Sequence, residues 1–228
     1  MTEPSSRRIS KQSVSSNVAA HIREMIFSGE LGFGSRIPQD AIAESLGVSR
    51  LPVRSALTTL ESEGMVITEP HRGTYVADIT PDDLLDHYTI CGEIHGLAAK
   101  RAASVISDEQ VAELEAINAD MSNEQVDARA YELHWIFHQR INRIGGSRRL
   151  RSVLQQLSHQ LPTSLFTSVL PGDLDAATVH RDIVAALKAR DGSAASDLCR
   201  DHLIREGELV VKRLSAQGLW ADGSTAGN

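Results

Sequence analysis

Apolar positions divide the chain into two regimes. From Ser13, the run SVSSNVAAHIREMIFSGEL places Val18, Ile22, Met25 and Ile26 on one side of a helix. Three glycines in SGELGFG stop it. PQDAIAESLG predicts a short second helix, with Ile42 and Leu46 at i, i+4, Pro38 at its start and Gly47 at its end. VSRLPVRSALTTLESEG predicts a third, with Ser49 as N-cap, Pro52 tolerated in the first turn and Val53, Leu57 and Leu60 pointing inward. MVITEPHRGTYVADI then reads as two short strands around a turn at Pro70–Gly73. After ITPDD the character changes. Thr80 and Asp83 have capping-box spacing, Pro81 suits a first helical position, and the pattern stays helical to about residue 217. Breaks fall near Ser107, Ser122–Gln125, Gly145–Ser147, Pro171–Gly172 and Asp191–Gly192.

The expected class is therefore mainly α, with a small α/β unit at 13–79 and an all-helical unit at 80–218. Residues 1–12 and 219–228 are polar tails expected to be disordered. Composition agrees with a soluble globular protein: 41% of residues are hydrophobic and 23% charged. No apolar run approaches a membrane span, and the start MTEPSSRRIS is not a secretory signal. Two cysteines without close spacing, Cys91 and Cys199, fit a reducing cytoplasm rather than a disulfide framework. The net charge of −7 is unevenly spread. Through residue 79 there are 8 basic and 9 acidic residues, against 15 and 21 in the remainder. The near-neutral first unit can present a basic face to DNA, whereas the acidic remainder should avoid it.

Two short helices joined by LGVS and followed by a two-stranded turn describe a winged helix-turn-helix, whose second helix enters the major groove. On that helix Arg50 and Arg54 are i, i+4 neighbours, about 70° from the centre of the inward stripe. The guanidinium fork matches O6 and N7 of guanine. In the wing, Arg72 can reach a phosphate or the minor groove, and Gly73 permits the tight turn. Two arginines on a helix are more often a solvated face; the surrounding pattern is what reverses that judgement. GELGFGSRIPQDAIAESLGVSRLPVRSALTTLESEGMVITEPHRGTYV resembles the DNA-binding domain of GntR-family transcriptional regulators. The resemblance implies a dimer that reads an inverted-repeat operator in double-stranded DNA, with Ser49, Arg50, Arg54, Arg72 and Gly73 at the DNA. Two positions depart from the pattern. Asp40 stands near a place where the family often has a DNA-contacting arginine, and Leu51 where threonine is common.

The second unit carries the histidines. His134 and His138, in YELHWIFHQR, lie one turn apart and share a helix face. Nine histidines give roughly 0.3 such pairs by chance, so the spacing alone is a weak metal signal. His180 and His202 are equidistant from the Asp191–Gly192 turn, each about 16 Å from it, and would face each other in an antiparallel helix pair. Four imidazoles could then meet in a bundle core, where such sites are built. The region resembles the FCD effector domain of the FadR subgroup. Its signature is Asp-x-x-x-His on one helix with two further histidines on the last helices. His138, His180 and His202 take the histidine positions, and His134 replaces the aspartate. The resemblance implies a divalent metal. A four-nitrogen set would favour zinc or nickel over magnesium or calcium. It also implies a small-molecule effector, a carboxylic acid in many relatives. Cys91 and His95 occupy places where the family has an effector-binding arginine and a glutamate, so both are candidate pocket residues. Cys91 is more often a small buried residue than a ligand. His159 is a further candidate without a motif match.

Two other functions share parts of this pattern. HWIFH has the spacing of zinc proteases but puts Trp135 where their glutamate base stands, and the chain has no phosphate loop or nucleophile elbow. A metal hydrolase is thus disfavoured, and the chain is expected not to be an enzyme. The other reading is a regulator for which the metal ion itself is the signal. The sequence points to a homodimeric repressor whose metal-containing helical pocket takes a small molecule.

Overall fold

The computed structural model describes residues 14–123, 128–162, 164–165 and 176–220. The tail 1–12, the segment 221–228 and the break at Pro171–Gly172 lie outside the described residues. The chain divides into two units, Met1–Asp78 and Ile79–Asn228.

In the first unit, α1 (Val14–Phe27), α2 (Gln39–Ser45) and α3 (Arg50–Ser62) precede β1 (Val66–Glu69) and β2 (Gly73–Val76). Val18, Ile22 and Ile26 of α1 are buried with Val53, Leu57 and Leu60 of α3, as their helical spacing requires. Beside this apolar contact Arg23 donates from Nε and Nη2 to the Glu63 carboxylate at 2.6–3.2 Å, which ties α1 to the end of α3. The strands pair antiparallel, Val66 opposite Val76 and Glu69 opposite Gly73, and an isolated bridge adds Arg36 beside Tyr75.

The second unit is built from α4 (Pro81–Val105), α5 (Asp108–Asn123), α6 (Ala128–Gly145), α7 (Arg148–Ser158), α8 (Ala176–Lys188) and α9 (Gly192–Ala216). Four of these helix starts have a local cause. Thr80 and Asp83 form a reciprocal capping box with Pro81 behind it. Ser107 and Gln110 exchange the same pair of bonds before α5. The Ser147 hydroxyl accepts from the Leu150 N–H, and the Asp191 carboxylate from those of Ser193 and Ala194. Helix α4 packs along α9 and also meets α6, α7 and α8. Ala99, Ala102, Ile106, Leu114, Phe137, Ile141, Ile183, Leu187 and Cys199 fill the core between them. One expectation differs. Leu219 and Trp220 do not belong to a loose tail, because the Trp220 indole donates to the Ile79 carbonyl at 2.8 Å. No helix among the described residues is long and apolar enough to cross a membrane.

Candidate nucleic-acid interface and metal centre

In the first unit α3 begins at Arg50 with Ser49 as N-cap. The Ser49 hydroxyl makes no capping bond. Arg50, Leu51 and Arg54 are exposed on the first two turns, Leu51 at 73%. Arg50 Nε lies 2.7 Å from Asp40 Oδ1, so the acidic residue of α2 partners the first arginine of α3. At the wing tip Arg72 Nη1 pairs with Glu69 Oε2 at 2.7 Å. Gly73 has φ +123, so the backbone there demands glycine; a Cβ would also meet Arg36 Nε at 2.8 Å, a flexible side-chain end that can move aside.

In the second unit three helices bring four imidazoles to one point. His134 and His138 project from one face of α6, His180 from α8 and His202 from α9. The six ring-centroid separations run only from 4.7 to 5.2 Å, close to a regular tetrahedron. One nitrogen from each ring falls within 4.8 Å of the others, and His180 Nε2 is 3.3 Å from His202 Nε2. All four rings are buried, and His180 stacks on Phe137 at 4.0 Å.

This donor set fits a transition metal. Both nitrogens of His138 and the Nδ1 atoms of His134, His180 and His202 are buried without a hydrogen-bond partner among the described residues. Such orphans are costly unless something supplies the missing contact; an ion on the side where the Nε2 atoms of His180 and His202 face each other would take up one nitrogen of His138. The protonation state also suits ligation. Burial, then the neighbouring imidazoles, holds His138 and His180 well below the ordinary histidine range. Burial pushes His202 down to about 4 against the opposing pull of Glu206. These rings are neutral near pH 7 and need shed no proton to bind an ion.

The sequence reading missed Glu206, which is buried with its Oε1 2.8 Å from His134 Nε2. Its signal was available: it follows His202 by four residues, the spacing that joins His134 to His138.

A cavity of about 480 Å³ borders one member of the cluster, His138. His95 and Asn142 line it as well, with Arg140, Arg143 and Arg151. His95 Nδ1 lies 3.2 Å from Asn142 Nδ2, and burial pushes that imidazole down to about 4. His159, the cap residue after α7, is a lining residue as well. Cys91 is not among them. It is buried 3.7 Å from His87 Nε2, and burial followed by the charge of Glu206 pushes its thiol up to about 12. The arginines could not be singled out from sequence, because helix periodicity alone does not say which exposed face borders a cavity.

Residues 14–76 match the family described as bacterial regulatory proteins, gntR family, and residues 86–205 match the FCD domain. An uncharacterized HTH-type transcriptional regulator of Mycobacterium tuberculosis is 27% identical over 200 residues, covering 88% of this chain and 80% of that protein. The "Probable D-xylose utilization operon transcriptional repressor" of Paenarthrobacter nicotinovorans is 29% identical over 208 residues, covering 88% and 90%. Among solved structures E. coli McbR/YncC shares the fold, with a TM-score of 0.61, 22% identity and coverage of 91% of this chain and 100% of that one. Family and relatives are transcriptional regulators, not enzymes. The helix-turn-helix and wing of the first unit, and the helical domain that follows in the chain, are thus those of the gntR family of bacterial regulatory proteins, to which this chain belongs as a DNA-binding transcriptional regulator.

Proposed function

We propose that this regulator is a homodimeric repressor whose DNA affinity is set by a small anionic molecule bound beside a metal ion in the helical domain. The observation that carries the reading is the joining of two features in one place. Four buried imidazoles converge on a point, and a cavity bordered by arginines reaches one of them, His138. His134, His138, His180 and His202 would hold the ion. Once bound, it supplies a Lewis-acidic centre for an oxygen of the ligand. The guanidinium groups of Arg140, Arg143 and Arg151 border the space such a ligand would fill. Arg143 is exposed and has no ion pair among the described residues, whereas Arg140 is paired with Glu113 at 3.0 Å and Arg151 donates to the Gly146 carbonyl at 2.8 Å. A carboxylate suits this setting, since arginine binds it in bidentate fashion. Cationic groups on α6 and α7 thereby stand in for the arginine that Cys91 replaces on α4.

On the DNA side the reading assigns Arg50 and Arg54 to base edges and Ser49, Arg72 and the Gly73 turn to the phosphate backbone. Support comes from their exposure at the start of the reading helix and at the wing tip. The repressor assignment follows the D-xylose operon relative, whose printed name carries that role.

The test is a thermal melt with and without chelator, on the native protein and on His138→Ala. Metal bound only to the folded form stabilises it by about 4 kcal/mol when free metal exceeds Kd a thousandfold. Chelator should therefore lower the native melting temperature and leave His138→Ala almost unmoved. A native melt that ignores chelator, together with no metal by elemental analysis after incubation with zinc or nickel, removes the metal from the reading. If zinc alone shifts operator affinity and no carboxylate does, the ion is itself the signal.

A further inference from the structure

The histidine cluster has a neighbour that four-nitrogen coordination leaves without a task. Glu206 sits one turn beyond His202 on α9 and is 6% exposed. Its Oε1 is 2.8 Å from His134 Nε2 and 3.5 Å from His202 Nε2, and it has no aligned hydrogen bond among the described residues. His202 Nε2 is in turn 3.3 Å from His180 Nε2. Glu206 Oε1 thus lies against Nε2 of both His134 and His202, and His202 Nε2 lies against that of His180.

These separations have a metrical meaning. Donor atoms about 2.0–2.2 Å from one zinc-sized ion sit about 3.0 Å apart at a right angle and about 3.4 Å apart at the tetrahedral angle. The observed 2.8, 3.3 and 3.5 Å span that range. The side of approach separates two roles. A carboxylate that merely orients a ligand histidine bonds to the ring nitrogen facing away from the ion. Glu206 approaches His134 at Nε2, and it is Nε2 through which His180 and His202 face each other; the other nitrogen of His134, Nδ1, has no partner among the described residues. Charge points the same way. Four neutral imidazoles would leave a buried ion with its full double charge, and an uncompensated buried charge is expensive.

We propose that Glu206 is itself a metal ligand, contributing a carboxylate oxygen from α9 to the ion held by the histidines of α6, α8 and α9. The inference rests on the metal reading above. It changes the donor set from four nitrogens to four nitrogens and an oxygen. The carboxylate that His134 displaces from α6 returns from another helix, and the site becomes more tolerant of harder ions than an all-imidazole set.

The experiment titrates cobalt(II) into chelator-stripped full-length protein, native and Glu206→Gln, and follows the visible absorption bands. Glutamine keeps the shape and removes the charge, and circular dichroism checks that the fold persists. The expected result is cobalt binding at least about tenfold weaker in Glu206→Gln, with shifted band positions and intensities. Loss of an outer orienting group also weakens binding about 10–100-fold, so the spectrum decides. Weaker binding with an unchanged spectrum overturns the ligand role. Unchanged affinity and spectrum overturn it too, while the metal reading stands. A native protein that takes up no cobalt overturns both. Should Glu206→Gln fail to fold, a crystal structure of the cobalt-loaded native protein gives the same decision. Oε1 at about 2.0–2.2 Å from the ion supports the proposal, and a distance beyond about 3 Å overturns it.

Discussion

Arg50 and Arg54 share an exposed side of α3, yet their surroundings differ. Arg50 is held by Asp40, and Arg54 has no ion pair among the described residues. An exposed pair of this kind contributes about 0–1 kcal/mol to stability, so the Asp40 contact bears more on DNA than on the fold. Arg54→Ala should cost about 1–3 kcal/mol on the specific operator and relax a guanine preference. Titrations against the operator and its single-base variants measure this, and equal weakening on every sequence would make Arg54 a phosphate contact instead. Asp40→Asn should act in the opposite direction. It frees the Arg50 guanidinium and removes a negative charge close to the phosphates, so operator and random DNA should both bind more tightly at low salt. Fluorescence anisotropy at two salt concentrations checks it; tightening confined to the operator would show that Asp40 steers Arg50 to a base rather than only repelling the backbone.

Helix contacts fix what the side chains can do. At the end of α6 a Cβ on Gly145 would collide with the Ala98 carbonyl oxygen, so α4 and α6 touch backbone to backbone there. Gly145→Ala must push α4 and α6 apart at that end, with an overpacking cost of about 1–3 kcal/mol. Urea denaturation of chelator-stripped protein should show that loss. An unchanged midpoint would mean that α6 can shift freely. In the first unit the part-buried Arg23–Glu63 pair ties α1 to the end of α3. Glu63→Ala leaves the buried Arg23 side chain, 6% exposed, without its partner and should cost up to about 3 kcal/mol. A loss below about 1 kcal/mol would show that water reaches Arg23 once the carboxylate is gone.

Acidity acts on the whole protein through its buried imidazoles. His95 and His202 sit at about 4 in the folded state, mainly through burial, against 6.5 when exposed. Between those values the unfolded chain binds more protons than the folded one, so stability rises with pH. Chelator-stripped protein should therefore be most stable above about pH 6.5 and weaken as pH falls toward 4. Each group removes about 1.4 kcal/mol for every pH unit crossed between the two values. Melts between pH 4 and 7.5 test this, and a flat profile would mean that the pocket fills with water and the rings protonate in place. Bound metal should raise the curve as a whole wherever the folded rings are neutral, and the gain should disappear at low pH where protons displace the ion. The proposed homodimer should sediment as a dimer without DNA at micromolar concentration; a monomer there would remove the two-fold reading of an inverted repeat.

Local rules wrote much of this molecule into the chain. The stripes of α1 and α3, the Thr80–Asp83 box and the glycine turn of the wing are set by neighbours a few residues apart, and they stand in the structure at the expected residues. His134 with His138, and His180 with His202, were legible for the same reason: a 3.6-residue period and a turn midway between two positions fix relative height and face. What lies between helices was not legible. Periodicity does not say that α6 points its histidines at the α8–α9 pair, that Glu206 joins them, or that Arg143 and Arg151 border the same cavity. Cys91 shows the limit from the other side. Its position in the sequence suggested the pocket, but Cys91 does not line the cavity and lies buried beside His87, its neighbour one turn back on α4. Contacts within an element depend on spacing along the chain. Contacts between elements depend on how close the helices come, and here glycine and alanine backbones in van der Waals contact set that distance.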